Sequence, residues 1–189
     1  MSRGPSNTRK VHDFMQFFGT QARGGRVYFT GGASAVLIGW RDLTVDVDLK
    51  LDPEPAGAFQ TIARAKEALD INVELAAPDD FIPPLPDWRD RSTFIARHGT
   101  TDFFHYDFYA QALAKIARGY GPDRADVGAM HDLELIKPDT LLDHFEDIEA
   151  DLERYPAMDP LRFRAKVKAA VSWLKGDNGN HDDNLVPSP

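Results

Sequence analysis

The residues with the clearest capacity for chemistry are Asp46 and Asp48, in the stretch VDVDLKL. From Val45 the chain alternates, with Val45, Val47, Leu49 and Leu51 on one side and Asp46, Asp48 and Lys50 on the other. That is the period of a β-strand, whose successive side chains point to opposite faces. The two carboxylates then share a face, roughly 6–7 Å apart along the strand. Asp is a poor strand former, and like charges this close repel. A solvated strand face tolerates such a pair, whereas a divalent-cation site requires one. Two carboxylates on one face can hold Mg²⁺ ions roughly 3.5–4 Å apart, which cancels the repulsion and activates an attacking oxygen.

Just upstream, Gly31-Gly32 separates the apolar run RVYFT from ASAVLIGW. A glycine pair is often only a tight turn. Between a strand and a helix it also lets the backbone approach a ligand closely, and the helix start presents free N–H groups to an anion. Phosphate donors on one wall and metal ligands on the other would make a nucleotide–metal site.

The stretch TGGASAVLIGWRDLTVDVDL resembles the signature of the nucleotidyltransferase superfamily, the DNA polymerase β-like fold. In that family a Gly-Gly or Gly-Ser turn precedes a helix and a D-x-D strand follows. The approach to Asp46 through Arg41 and Thr44 is most similar to the branch of AbiEii-type toxin nucleotidyltransferases and their bacterial relatives. The resemblance covers about residues 26 to 127 and continues in DFYAQALAKIARGYGPDRADV. It implies that Asp46 and Asp48 are catalytic and hold Mg²⁺, two ions, with Mn²⁺ as a substitute. It implies that a nucleoside triphosphate such as ATP sits on Gly31, Gly32, Arg41 and Thr44, with Lys115 on the phosphates and Arg118 as a supporting cation. Asp123 or Asp126 is the downstream acid by the same match.

The superfamily often adds a third carboxylate from a later strand. Glu74 in INVEL is the candidate, although a solvent-facing Glu beside Asn72 would give the same pattern. Gly32 stands where many members carry serine, so phosphate contact would rest on backbone N–H groups, with the Ser34 hydroxyl as the expected addition. The implied activity is transfer of a nucleoside monophosphate to an RNA such as tRNA, a protein or a small molecule, in a toxin-type enzyme. The alternative is a non-catalytic member of the fold that binds a cognate protein in a toxin–antitoxin-like pair. A phosphate-ester hydrolase using the same metals with water is the third reading.

The elements that must position these residues follow from periodicity. Helical spacing covers 8 to 21, a strand 26 to 30, a buried helix 33 to about 39, and the Asp strand comes next. A helix spans Pro55 to Asp70 with Phe59, Ile62, Ala63, Ala65 and Leu69 inward, and a third strand runs from Ile71 to Leu75. After a proline-rich loop, short strands are expected around 92 to 96 and 102 to 107, then a helix ending at 119 to 122. Helices follow at 125 to 134, 138 to about 153, and from Pro160, with Asp159 as N-cap. The expectation is an α+β fold: a small mixed sheet flanked by helices, with a core over 8 to 124, a helical extension over 125 to 175, and disordered tails at 1 to 7 and 176 to 189.

Bulk properties set the class. The 189 residues are 42% hydrophobic and carry a net charge of −8, enough apolar content for a core and too acidic for a broad nucleic-acid-coating surface. With no cysteine, disulfides, thiolate nucleophiles and Cys-ligated zinc are excluded. No run approaches the roughly 18 apolar residues of a membrane span, and the start lacks a signal-peptide pattern, so a cytoplasmic protein is expected.

Lesser candidates have plain readings beside functional ones. Lys50 shares the Asp face and could pair there. Trp88, Arg89 and Arg91 could clamp a base or only pack. His105, Tyr106 and Asp107 alternate faces on a strand and cannot converge, and His98, His131 and His144 lack ligand spacing. RFRAKVK makes one face of the last helix basic, which could touch an RNA acceptor or simply be a solvated helix face.

Overall fold

The computed structural model describes residues 4–155 and 158–176. The first helix, α1 (Thr8–Gln21), is capped by the Asn7 side chain, which accepts from Lys10 N–H at 3.0 Å. Its Val11, Phe14, Met15 and Phe18 recur at the spacing of one helical face and are fully buried. Strand β1 (Arg26–Phe29) leads into α2 (Gly31–Ile38), which is stopped by Gly39 in the left-handed conformation at φ 106°. Next come β2 (Asp46–Leu51), α3 (Ala58–Ala68) and β3 (Asn72–Leu75). A 3₁₀ turn at Pro78–Asp80 and the short α4 (Trp88–Arg91) precede β4 (Thr93–His98) and β5 (Thr101–His105). The rest is helical: α5 (Phe108–Arg118), α6 (Gly121–Asp132), α7 (Pro138–Glu149) and α8 (Pro160–Leu174).

The fold is α+β, as expected. Five strands form one mixed sheet in the order β3-β2-β1-β5-β4. Strand β1 runs antiparallel to β2 and parallel to β5, and β2 runs parallel to β3. Alternation sorts the side chains into two cores. Val27, Phe29, Val47 and Leu49 join one core with α1 and α3, while Tyr28 faces the other with Trp88, Tyr106, Leu113 and the C-terminal helices. Asp46 and Asp48, out of phase with Val47 and Leu49, therefore project toward the α5 side. Glu74, in register with Asp48 on a parallel neighbour, projects the same way.

Several expectations are corrected. Phe59 is 53% exposed and Ala63 is also exposed, because α3 buries Ala58, Thr61, Ile62 and Ala65, and Phe59 lies about 100° around the helix from that face. Helix α6 begins at Gly121, so a boundary between 124 and 125 would cut a helix. One core spans Tyr28 to Val171, which joins the C-terminal helices to the sheet. Helix α7 ends at Glu149 and passes into a 3₁₀ segment to Arg154. Of the expected N-terminal tail, Ser6 is fully buried and exchanges two backbone hydrogen bonds with Thr44, at 2.7 and 2.8 Å. The expected C-terminal tail lies, apart from Gly176, outside the described residues, as do residues 1–3. Lys166 Nζ donates to Ala117 O at 2.6 Å, tying α8 to the C-terminal end of α5. Among the described residues no helix is long and apolar enough to cross a membrane.

Candidate active site

The floor of the site is the corner between β1 and α2. Thr30 is extended, and Gly31 takes φ +53°, a left-handed value that favours glycine. Space is as restrictive as torsion here. A Cβ on Gly31 would stand 2.9 Å from Asp48 Oδ2, and one on Gly32 would overlap the Thr44 hydroxyl and lie 2.7 Å from Thr44 Cβ. Thr44 Oγ1 donates to Asp46 O at 2.9 Å, and Thr30 N–H donates to Asp48 O at 3.0 Å, so the corner and the Asp strand are directly bonded. The first N–H groups of a helix have no acceptor within it. At α2 one of them, Gly31 N–H, is taken by Gln111 Oε1 at 2.9 Å, while Gln111 Nε2 donates to Tyr106 O at 2.7 Å.

The acidic wall comes from the parallel pair β2 and β3. Asn72 pairs with Asp46, and Glu74 pairs with Asp48. Asn72 Nδ2 donates to Asp46 Oδ1 at 2.5 Å and to Glu74 Oε1 at 3.2 Å, which holds the two outer acids by one amide. Burial pushes the Asp48 carboxyl up to about 6, and the charges of Asp46 and Glu74 push it further than Arg118 and Lys115 pull it back. The opening repulsion inferred from the alternation is thus present, with a third acid added.

The opposite wall is cationic and rests on two buried acids of α6. Asp126 accepts from Arg41 Nε at 2.8 Å and Nη2 at 2.6 Å, from Lys115 Nζ at 2.5 Å, and from Trp40 Nε1 at 3.1 Å. Asp123 accepts from Arg118 Nε and Nη2 at 2.9 and 2.6 Å and from Lys115 Nζ at 3.4 Å. Burial pushes Asp123 up, but its hydrogen bonds from Arg118 and the charge of Lys115 outweigh that and hold it below the usual carboxylate range. Three cations against two carboxylates leave this wall net positive, facing the net negative one.

These parts share one cleft of about 460 Å³. Gly31, Gly32, Arg41, Thr44, Asp46, Asp48, Glu74, Lys115 and Arg118 all line it. Ser34 does not: it is fully buried, donates to Phe29 O at 3.0 Å, and meets His105 Nδ1 at 3.0 Å on the sheet side of α2. Burial lowers the His105 pKa to about 4, so this ring is neutral at physiological pH. The hydroxyl beside Gly32 belongs to Thr44 instead. Sequence reasoning also missed Gln111, Phe81, Tyr120 and Val45, which line the same cleft; Val45, expected inward with Val47, is 67% exposed.

The lesser candidates find structural partners. Lys50 pairs with Asp79 at 2.5 Å. Trp88 is buried and stacks on Tyr106 at 4.3 Å, Arg89 pairs with Asp52, and Arg91 bonds Asp107, which also caps α5 through Tyr109 N–H. In RFRAKVK, Arg164 pairs with Glu149, so this face is partly neutralised from within.

Asp46 and Asp48 suit a hard cation. Their donors are all oxygen, and the raised proton affinity of Asp48 marks uncompensated charge that a cation would relieve. Among the described residues no three acids or histidines form a ready ligand group.

Comparison with protein-family models, with curated proteins and with solved structures finds no match to this chain.

Proposed function

We propose that this cleft is the active site of a metal-dependent nucleotidyltransferase with the nucleotidyltransferase fold, which moves a nucleoside monophosphate from a triphosphate to an acceptor hydroxyl or phosphate. One observation carries the reading: a glycine corner, an edge of three acids and a wall of three cations meet in a single cleft. A solvated strand face would explain Asp46 and Asp48 singly, but not the approach of Asp48 to Gly31 or the cations opposite.

The chain's contribution is position and charge. The triphosphate oxygens lie toward the start of α2 and toward Lys115 and Arg118, whose side chains Asp123 and Asp126 hold in place before any ligand arrives. Mg²⁺ on Asp46 and Asp48 supplies charge neutralisation at the reacting phosphate when bound. The acceptor oxygen forms a bond to the α-phosphorus as the bond to pyrophosphate breaks. Where the acceptor is a hydroxyl, Glu74, the exposed acid of the edge, takes its proton. Asn72 keeps Asp46 and Glu74 oriented and stays uncharged throughout.

The test is incubation of the purified protein with each of the four ribonucleoside triphosphates, Mg²⁺ and a mixed RNA and protein acceptor pool. Pyrophosphate release with label transferred to an acceptor is expected, and Asp46→Asn or Asp48→Asn should abolish both. Unchanged turnover in the two variants would end the proposal, and release of inorganic phosphate alone would convert it to a hydrolase.

A further inference from the structure

Two aromatic side chains line the cleft from outside both hydrophobic cores. Phe81 is 44% exposed and Tyr120 is 66% exposed. Among the described residues neither belongs to either core. A single exposed aromatic needs no explanation. These two come from distant elements, one after the 3₁₀ turn that follows β3 and the other between α5 and α6, yet they converge on one guanidinium. The Arg118 Cζ lies 6.0 Å from the Phe81 ring centre and 5.5 Å from that of Tyr120.

The placement is built, not incidental. Arg118 is held by two hydrogen bonds to Asp123, and the same carboxylate accepts Tyr120 N–H at 3.2 Å. One buried acid therefore fixes both the cation and the backbone that carries the second ring. The neighbouring lining is Ala77, Pro78 and Pro122, whose side chains offer no hydrogen-bond donor or acceptor. Arg118 is common to both groups: it feels the charge of Asp48 and lies against both rings.

We infer that Phe81 and Tyr120 are the base-binding bracket of the cleft and take the heteroaromatic ring of the nucleotide. The inference rests on the nucleotide reading above and extends it to how the base is chosen. With phosphates at the α2 corner and on Arg118, the base that extends beyond Arg118 meets stacking faces and apolar walls. Stacking tolerates every base because each has a π-face. The bracket consequently ranks nucleotides by ring area, purines above pyrimidines, and does not read the base edges.

Calorimetry separates this from the parent reading. The wild-type chain and a Phe81→Ala/Tyr120→Ala variant are titrated with ATP, CTP and inorganic tripolyphosphate, each with Mg²⁺. Both side chains sit at the surface, so the variant keeps the fold, and Tyr120→Phe, which keeps the ring, should bind ATP as the wild type does. The expected result is ATP affinity lower by about 10- to 100-fold in the double variant, tripolyphosphate affinity unchanged, and the preference for ATP over CTP reduced. Equal ATP affinity in the double variant overturns the bracket alone, as does an equal loss for tripolyphosphate, which would mean that the rings only support Arg118. Failure of the wild type to bind either ATP or tripolyphosphate overturns the nucleotide reading, and the bracket with it.

Discussion

The Asp48 carboxylate occupies the space that a side chain on residue 31 would need: a Cβ on Gly31 would stand 2.9 Å from Asp48 Oδ2. The glycine turn and the D-x-D strand are thus two halves of one contact. Gly31→Ala should cost about 1–2 kcal/mol for the left-handed backbone alone. It should also displace Asp48, so Mg²⁺-dependent turnover should fall by much more than the loss of folded protein. Denaturant titration and turnover measured on the same preparation check this.

Asp48→Asn should make the metal-free protein more stable while abolishing transfer. The folded pKa of about 6 lies above the ordinary 3.8, so above pH 6 the native state carries a charge it holds less readily than the unfolded chain does. The penalty is present at pH 7 and disappears as pH falls below the unfolded value. The shift corresponds to roughly 3 kcal/mol, or on the order of 5–10 °C in Tm. Thermal melts of wild type and variant should therefore converge near pH 4.

His105 works in the opposite sense. Its folded pKa of about 4 lies below the ordinary 6.5, so its contribution to stability is fully present above pH 6.5 and is lost as pH falls toward 4. Replacing it with Asn should flatten the acid limb of the stability profile between those values. A variant whose pH dependence matches the wild type would refute the assignment.

Removing Asp126 should be severe. At 2% exposure it is the shared acceptor of Arg41 and Lys115, and Lys115 is itself buried. Asp126→Ala strands a cation and should cost about 3–5 kcal/mol by chemical denaturation. The double change Lys115→Met/Asp126→Leu should cost less than the single one and still bind no triphosphate.

The legible parts of this molecule were those whose signal is local. Alternation placed Asp46 and Asp48 on one face, and the glycine pair lies within twenty residues of them, so corner and strand could be joined on paper. The N-cap at Asp159 is equally local, its side chain accepting Arg162 N–H at 3.1 Å. Ser34 misled because α2 is apolar on every side, which leaves no amphipathic stripe to show which way position 34 turns. It turns into the sheet. Gln111 reaches Gly31 across 80 residues, and Phe81 and Tyr120 meet only through Arg118, so neither arrangement has a period to betray it. Val45 left the pattern because the regular strand begins one residue later, at Asp46.

The bond from Lys166 to the last turn of α5 gives α8 a part in events it never touches. Lys115 and Arg118 ride on that turn, so α8 acts as a brace on the cationic wall, and a chain shortened ahead of it would keep every cleft residue on a looser mount. Reciprocity then requires the converse: whatever anion immobilises those two cations must also slow amide exchange along α8, which packs behind the cationic wall.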